Sequence, residues 1–406
     1  MAEYGLLGRK LGHSWSPEIH EYLGSTPYKL YEVEPEALGD YLQNTPLAAM
    51  NVTIPYKKDV IPYCVSLSET ARKLGSVNTL VKRADGWHGD NTDNYGFLYM
   101  MKSAGISPKG KKAVVLGSGG ASLTVVAALQ DEGASEVVII SRTGENNYEN
   151  LHLHKDAAIV VNTTPVGMYP NNGESPVSLD AFPCCEGVLD LIYNPQKTAL
   201  LLEAEAKGIP CAGGLTMLVA QAKRASELFR DVQLEDNLIP QITDNLQKKM
   251  RNIVLIGMPG CGKSTVAAAL SAELDMPVVD ADAEIVKTAG CTIPEIFEKS
   301  GEEGFRKIES QVLTELGKRT GIILATGGGC VTREENFAPL RQNGIVIWLK
   351  RDTALLPTEG RPLSQTGKLQ EMYLVREPLY RKFAQVTVEN CGTVDETVRT
   401  IKEALE

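Results

Sequence analysis

Residues 253–265 read Ile253-Val-Leu-Ile-Gly-Met-Pro-Gly-Cys-Gly-Lys-Ser-Thr265 and combine a strand, a glycine-rich loop and the start of a helix. The apolar start predicts a buried parallel strand, and the eight residues from Gly257 match G-x-x-x-x-G-K-[ST]. In such a loop the backbone amides and the helix N-terminus face a polyphosphate. Lys263 can reach the β- and γ-phosphates, and the Ser264 hydroxyl can ligate Mg²⁺. The alternative is an ordinary glycine-rich turn, which would not require the Lys-Ser pair. The residues expected to contact the nucleotide are Gly260, Cys261, Gly262, Lys263, Ser264 and Thr265.

The composition is that of a soluble α/β protein. The chain has 406 residues, of which 43% are hydrophobic and 23% charged, and at about 150 residues per domain this length predicts two or three domains. The net charge of -10 argues against nucleic acid as the main ligand. Eight cysteines without a C-x-x-C pair and five scattered histidines indicate reduced thiols rather than a metal site. With neither a signal peptide nor a long apolar run, we expect a cytoplasmic protein that acts on small molecules away from membranes.

Polar clusters follow the predicted strands of the first hundred residues. Ser14 and Ser16 come after the strand Tyr4-Gly-Leu-Leu-Gly8. Three more clusters are Asn51-Val-Thr53-Ile-Pro-Tyr-Lys57, Ser76-Val-Asn78-Thr and Gly89-Asp-Asn-Thr-Asp93. Because open α/β sheets bind ligands at the carboxyl ends of their strands, these clusters predict a ligand site. Serines before a helix are also common as helix caps, so the serines alone decide nothing.

A second strand-to-helix glycine turn occurs at Lys112-Ala-Val-Val-Leu-Gly117-Ser-Gly119-Gly120-Ala121-Ser122. It fits G-x-G-x-x-[GA] except that Ser122 holds the third small position. An NAD site would carry an acidic residue at the end of the next strand, whereas this chain has Ser141-Arg142-Thr143. A guanidinium with hydroxyl neighbours suits a 2′-phosphate, so the motif favours NADP over NAD. The alternative is a solvated arginine on a βα loop.

Two further motifs complete the set: Asn162-Thr-Thr-Pro-Val-Gly-Met and Gly214-Leu-Thr-Met-Leu-Val-Ala-Gln221. In this order, the motifs resemble shikimate dehydrogenase over about residues 4–245. The resemblance implies that Ser14, Ser16 and Tyr193 hold the shikimate carboxylate. The residues it implies around the ring hydroxyls are Thr53, Lys57, Asn78, Asp93 and Gln221. The residues it assigns to the NADP site are Gly117, Ser118, Gly119, Gly120, Ala121, Ser141, Arg142, Thr143 and Gly214.

The implied reduction explains the pairing of Lys57 with Asp93. Hydride delivery to the C3 ketone of 3-dehydroshikimate develops an alkoxide, which needs a proton from a well-placed donor. Lys57 can supply that proton while Asp93 holds the ammonium in place. Without the family context, the two residues would be read as a surface ion pair. The chain departs from the family after Thr143, where a short His- and Asn-rich stretch replaces a helix and leaves the adenosine-side contacts undefined.

The second half carries further strand-end motifs. Pro277-Val-Val-Asp280-Ala-Asp282 predicts a strand that ends in two carboxylates pointing the same way, one for Mg²⁺ and one for a hydroxyl proton. The alternative is a pair of solvated acids. The remaining motifs are Gly301-Glu-Glu-Gly-Phe-Arg306, Ala325-Thr-Gly-Gly328-Gly, Gly360-Arg361-Pro-Leu and Arg376-Glu-Pro-Leu-Tyr380, the last two flanking a loop that can close as a lid.

This half resembles shikimate kinase over about residues 251–402. The resemblance implies that shikimate is held by Asp282, Arg306, Gly328 and Arg376. The two arginines neutralise its carboxylate, Asp282 orients the attacking hydroxyl, and Arg361 meets the ATP phosphates. The approach to the lid, residues 349–359, is shorter than usual and Pro357 interrupts the expected helix, so the adenine contacts stay undefined here as well.

The expected architecture is α/β throughout, with a dehydrogenase-like region at 1–248 and a P-loop kinase-like domain with a parallel sheet at 249–406. The first region divides into a substrate domain at 1–100 plus 215–245 and a Rossmann NADP domain at 101–214. A last helix within 237–250 leads almost directly into the kinase strand. We therefore predict a fused enzyme in which NADPH reduces 3-dehydroshikimate and MgATP phosphorylates the resulting shikimate. Two alternatives stay open: an NAD-dependent quinate/shikimate oxidoreductase joined to another small-molecule kinase, and a scaffold with one inactive half.

Overall fold

A computed structural model describes residues 2–12, 14–356 and 368–405. The chain forms two compact units. The first comprises Met1–Met168, Glu174–Asn194 and Glu203–Leu246, and the second comprises Tyr169–Gly173, Pro195–Leu202 and Gln247–Glu406. Within the described ranges, no helix is both long and apolar enough to cross a bilayer. All eight cysteines are free thiols.

The first unit begins with a mixed six-stranded sheet. Its strands are β1 (Tyr4–Gly8), β2 (Tyr28–Glu32), β3 (Ala49–Val52), β4 (Cys64–Leu67), β5 (Thr79–Arg83) and β6 (Gly86–Asp90), in the order β2-β1-β3-β5-β6-β4. β3 runs parallel to β1 and antiparallel to β5, so the end of β3 lies beside the start of β5. The helices of this part are α1 (Ser16–Tyr22), α2 (Leu38–Asn44) and α3 (Glu69–Leu74). The clusters at Asn51 and Asn78 are thereby brought to one sheet edge.

A second sheet is fully parallel. Its strands are β7 (Lys112–Leu116), β8 (Glu136–Ile140), β9 (Ile159–Asn162), β10 (Gly187–Asp190) and β11 (Cys211–Gly213), in the order β11-β10-β9-β7-β8. Residues 113–116 and 159–161 are buried, as expected for strands covered on both faces. The chain order reverses at β7, whose neighbours are β8 and β9, and such a switch point opens a crevice at the carboxyl ends of the strands.

Two packed helices, α4 (Asp93–Ser103) and α7 (Leu215–Arg230), connect the sheets of the first unit. The other helices in this stretch of the chain are α5 (Gly120–Asp131), α6 (Ala199–Ala206) and α8 (Leu238–Met250). α4 approaches α7 so closely that a Cβ on Gly96 would lie 2.6 Å from the carbonyl oxygen of Met217. α7 also packs on the first sheet, where Ala225 and Phe229 join the core around Tyr4. The helix predicted before the kinase strand is α8, which ends two residues before that strand begins.

The second unit contains a parallel sheet around the strand quoted at the outset. Its strands are β12 (Asn252–Ile256), β13 (Val278–Asp280), β14 (Ile323–Ala325), β15 (Gly344–Lys350) and β16 (Val386–Glu389), in the order β13-β14-β12-β15-β16. Its helices are α9 (Lys263–Leu274), α10 (Ala281–Ala289), α11 (Ile293–Gly317), α12 (Phe337–Arg341), α13 (Lys368–Phe383) and α14 (Val394–Leu405). α11 is broken at Gly301, where φ is 66° and ψ is -171°. β12 is central and its five residues are buried, so the loop that follows it opens at the middle of the sheet edge.

Candidate active sites

The first unit holds a cleft of about 400 Å³, called here the lysine cleft. All the residues that the resemblance to shikimate dehydrogenase assigns to the substrate line this cleft: Ser14, Ser16, Thr53, Lys57, Asn78, Asp93, Tyr193 and Gln221. They come from the loop before α1, the ends of β3 and β10, the approach to β5, and helices α4 and α7. Residues up to 207 positions apart in sequence therefore face one space, which no local motif could ensure.

Lys57 and Asp93 form an ion pair inside this cleft. Lys57 Nζ lies 2.6 Å from Asp93 Oδ2, and the two side chains are 31% and 18% exposed. Asp93 is the first residue of α4, and its amide donates to Asn91 Oδ1 at 3.1 Å. The carboxylate therefore holds an ammonium that remains accessible from the cleft. Such an ammonium can give a proton to an oxygen of a bound ligand.

Three residues with hydroxyl groups also line the cleft: Ser14, Ser16 and Tyr193. Ser14 Oγ accepts a hydrogen bond from the Ser16 amide at 3.2 Å, which orders the turn into α1. Burial raises the pKa of Tyr193, so its hydroxyl keeps its proton and remains a donor. Together with Ser16, these hydroxyls offer the neutral donors that a carboxylate accepts well.

A second cleft in the same unit, of about 670 Å³, is called here the Arg142 cleft. The predicted cofactor residues that line it are Gly117, Ser118, Gly119, Ser141 and Arg142. Gly117 has φ of 101°, and a Cβ there would lie 2.8 Å from Thr164 Cγ2. Gly120 begins α5, and Thr143 is exposed on the loop after Arg142. Ala121 and Gly214 line the lysine cleft instead, so the two clefts approach each other at the N-terminus of α5.

Tyr148 is a residue of the Arg142 cleft that the sequence analysis did not identify. It lies in the shortened stretch after Thr143, which continues into a single 3₁₀ turn at Leu151–His154. Burial raises the pKa of Tyr148, and the nearby Arg142 guanidinium opposes that shift. An aromatic ring beside a guanidinium offers a surface on which a planar base can stack. The only sign of this role in the sequence was an aromatic residue within an Asn-rich stretch. Whether the ring faces the cleft depends on how the loop folds.

The phosphate loop of the second unit links β12 to α9. Gly262 precedes the helix with φ of 97°, a left-handed conformation that glycine adopts without strain. Lys263 is 9% exposed, and its Nζ donates to the carbonyl oxygens of Gly257 at 2.9 Å and Met258 at 3.1 Å. The buried Asn390, which sequence analysis missed, donates through Nδ2 to the carbonyl oxygen of Cys261 at 2.5 Å. The loop is thus braced from β16 as well as from its own lysine.

The prediction that Asp280 and Asp282 both lie at the end of one extended strand is wrong. β13 ends at Asp280, and α10 begins at the next residue. Asp280 Oδ1 caps this helix by accepting from the amides of Asp282 at 2.9 Å and Ala283 at 3.2 Å. The capping preference of an aspartate at a strand end therefore outweighs continuation of the strand.

The oxygen donors beside the phosphate loop suit a magnesium ion. Ser264 Oγ donates to Asp280 Oδ2 at 3.2 Å, which places a hydroxyl and a carboxylate together. Mg²⁺ prefers such hard oxygen ligands and keeps its other positions for water and phosphate oxygens. Desolvation raises the pKa of Asp282, and the negative charge of Asp280 adds to that shift. A carboxylate with a raised pKa accepts a proton more readily, as a group that activates a hydroxyl must.

Arg306 is held by a carboxylate that the sequence motifs did not identify. Its Nη1 lies 2.7 Å from Oε2 of Glu309, whose side chain is fully buried, and its Nη2 lies 3.2 Å from the exposed Glu302. Desolvation raises the pKa of Glu309, and Arg306 opposes that shift. Glu309 lies one helical turn after Arg306, but the sequence alone did not show that this face of α11 is buried.

Two more of the predicted ligand residues, Gly328 and Arg376, meet after the end of β14. The carbonyl oxygen of Gly328 accepts from Arg376 Nη1 at 3.2 Å and from the hydroxyl of Tyr380. Arg376 is buried. Thr265 is exposed in the first turn of α9. Arg361, predicted to meet the ATP phosphates, lies outside the described residues.

Known proteins match both parts of the chain. One family model, described as shikimate dehydrogenase substrate binding domain, matches residues 6–80, and another, described as shikimate kinase, matches residues 259–406. A shikimate dehydrogenase (NADP(+)) of Clostridium beijerinckii is 38% identical over 258 residues, or 59% of this chain and 95% of the relative. A chorismate mutase/shikimate 5-dehydrogenase fusion protein from Clostridium acetobutylicum is structurally similar, with a TM-score of 0.58 and 36% identity over 61% of this chain and 98% of its own. The shikimate 5-dehydrogenase of Thermus thermophilus in complex with NADP(H) and shikimate gives a TM-score of 0.55 and 30% identity over 60% and 99% of the two chains.

Proposed function

The chain belongs to the shikimate dehydrogenase family and carries a shikimate kinase domain after it, and on that premise we propose that it catalyses two successive steps on one ring acid. NADPH reduces 3-dehydroshikimate to shikimate in the first unit, and MgATP phosphorylates the shikimate 3-hydroxyl in the second. The observation that carries the proposal is the lysine cleft, where eight residues of the family pattern face one space around the Lys57–Asp93 pair.

In the reduction, Lys57 protonates the oxygen that becomes the 3-hydroxyl. NADPH, when bound, supplies the hydride that forms the new C–H bond. The carbonyl oxygen gains negative charge as this bond forms, and Lys57 Nζ gives it a proton while Asp93 keeps the ammonium oriented. Ser14, Ser16 and Tyr193 bind the ring carboxylate through their hydroxyls. This anchoring at one end of the ring presents the ketone at the other.

The cofactor of the reduction is NADPH because of Arg142, which lies two residues after the end of β8. Arg142 lines the Arg142 cleft, where an NAD site would carry an acidic residue for the ribose hydroxyls. Its guanidinium pairs with the 2′-phosphate, and Ser141 supplies a hydroxyl beside it. The ring of Tyr148 stacks on the adenine, in place of contacts from the helix that the shortened stretch lacks.

In the phosphorylation, Asp282 receives the proton of the attacking hydroxyl. Arg306 and Arg376 bind the shikimate carboxylate, and Glu309 keeps the first of these arginines in position. Lys263 and the loop amides hold the transferring phosphates, with Arg361 as a further phosphate contact. Ser264 and Asp280 would hold Mg²⁺, which would supply positive charge beside the phosphate oxygens.

One reaction mixture tests both steps. The purified chain is mixed with 3-dehydroshikimate, NADPH and MgATP, the loss of NADPH absorbance is followed, and the product is identified by mass. We expect Lys57→Ala to lower reduction at least a hundredfold, the usual scale for removing a general acid, and to leave phosphorylation of added shikimate unchanged. Lys263→Ala should do the reverse. Loss of both activities in either variant would contradict separate sites, and full activity in both would show that the lysines have no catalytic role.

A further inference from the structure

The side-chain amide of Asn51 is held in one orientation at the wall of the lysine cleft. Its Oδ1 lies 3.1 Å from His20 Nε2 and 2.8 Å from the Tyr28 hydroxyl, and its Nδ2 lies 3.4 Å from the carbonyl oxygen of Asn78. A backbone carbonyl can only accept hydrogen bonds, so the amide nitrogen must face Asn78. The Asn51 oxygen therefore faces the histidine and the tyrosine, and both of them must donate to it.

This requirement decides the tautomer of His20. Because Asn51 Oδ1 only accepts, the proton lies on His20 Nε2. Nδ1 is buried and has no hydrogen-bond partner among the described residues, so an unpaired lone pair there is less costly than an unpaired N–H. Desolvation lowers the pKa of His20 to about 3, which keeps the ring neutral. The ring is stacked on Tyr28 at a centroid distance of 4.0 Å and on Phe229 at 5.6 Å.

The orientation passes from Asn51 to the side chain of Asn78. Asn51 Nδ2 lies 3.3 Å from Thr79 Oγ1, and that hydroxyl donates to Asn78 Oδ1 at 2.9 Å. The Thr92 amide donates to the same oxygen at 2.8 Å, so the Asn78 amide nitrogen turns towards Thr92 Oγ1 at 3.1 Å. One of its two N–H groups is used there. The other can donate into the lysine cleft, which Asn78 lines.

We propose that His20 is a positioning residue for the dehydrogenase reaction, because its Nε2–H helps to hold the linked amides of Asn51 and Asn78 in the arrangement in which Asn78 presents an N–H to a ring hydroxyl in the cleft. This role rests on the proposed function of the lysine cleft. His20 itself does not touch the ring acid. It acts through the Asn51 amide, which it holds together with the Tyr28 hydroxyl and the Asn78 carbonyl oxygen, and through Asn78, whose oxygen also accepts from the Thr92 amide.

The kinetic test replaces the donor and keeps the ring. In His20→Phe the stacking on Tyr28 and Phe229 is retained and the hydrogen bond to Asn51 is lost. We expect the KM for shikimate, measured in the oxidation direction, to rise about tenfold, since the cleft loses the equivalent of one ordered hydrogen bond. The kcat should stay within about twofold. The KM for NADP and the rate of shikimate phosphorylation by the same protein should not change.

Two further variants distinguish positioning from loss of folding. His20→Gln carries an amide N–H at the end of a side chain of similar reach, and should return the KM for shikimate most of the way to the wild-type value. His154→Phe is the matched control, because His154 Nε2 also contacts an asparagine, Asn146 Oδ1, at 3.1 Å, and its Nδ1 has no hydrogen-bond partner in the part of the chain that the structure describes. That histidine is not part of the lysine cleft lining, so its variant should leave the KM for shikimate unchanged.

A spectroscopic measurement gives an answer that does not depend on activity. Nitrogen NMR of the histidine-labelled full chain should show a neutral His20 ring with the proton on Nε2. A proton on Nδ1, or an unchanged KM for shikimate in His20→Phe, would overturn the proposal, as would equal effects of His20→Phe and His154→Phe. A wild-type chain that fails to reduce 3-dehydroshikimate would instead overturn the proposed function, while the tautomer would still be read from the spectrum.

Discussion

A methyl group added at Gly329 should disable shikimate binding in the kinase unit by displacing one guanidinium. A Cβ at this position would lie 2.0 Å from Arg306 Nη2 and 2.4 Å from both Cζ and Nη1. The backbone at Gly329 has φ of -106°, which alanine adopts without strain, so the clash is with the side chain alone. To reach ordinary van der Waals contact, the guanidinium must move by more than about 1 Å. That movement breaks the 2.7 Å bond between Arg306 and Glu309.

The size of the effect follows from the charged hydrogen bonds that are lost. A hydrogen bond to a charged group contributes about 1.5–3 kcal/mol, and a misplaced Arg306 loses its contact with the shikimate carboxylate. Each 1.4 kcal/mol is a factor of ten, so Gly329→Ala should raise the KM for shikimate about 10–150-fold. The KM for ATP should stay within about twofold, because the three atoms nearest to the new methyl group all belong to Arg306 and none to the phosphate loop.

The assay is ADP release coupled to NADH oxidation, with shikimate varied at saturating ATP. Gly392→Ala is the matched control, because a Cβ there would lie 2.3 Å from Oε2 of Glu396. Glu396 is exposed and, among the described residues, its oxygen accepts only from Thr393 at the start of α14, so the clash is relieved at the surface and both KM values should be unchanged. A Gly329→Ala enzyme with an unaltered KM for shikimate would refute the assigned role of Arg306. An equal rise in the two KM values would indicate damage to the whole unit.

Two further results are expected. Arg142→Ala should raise the KM for NADPH at least tenfold and change that for NADH little, because only the 2′-phosphate loses its partner; equal changes for the two cofactors would contradict the assignment. Phosphorylation requires ionised Asp282, whose pKa is raised by desolvation and by the charge of Asp280. The kcat/KM for phosphorylation should therefore fall as the pH decreases, with an apparent pKa above the ordinary value of about 3.9 for an aspartate. An acid limb at or below that value, in pH profiles corrected for unfolding, would exclude Asp282 as the proton acceptor.

The parts of this protein that the sequence determined by itself are those written in adjacent residues. The phosphate loop needs a strand, three glycines with positive φ and a Lys-Ser pair, and all of them lie within residues 253–265. The preference of glycine for positive φ and the alternation of strand and helix are local properties, so they can be read without the fold. The same holds for Gly117, and for Arg142 at the end of the next strand.

Tertiary structure alone decided which side chains meet and which are buried. Asp282 was expected on a strand, but helix α10 begins before it because Asp280 caps the first turn. Glu309 and His20 lie in segments without a recognisable motif, and their roles, like that of Asn51, appear only when packing removes them from water and limits their hydrogen-bond partners. Desolvation and hydrogen-bond pairing depend on neighbours far away in the chain, so no short stretch of sequence specifies them.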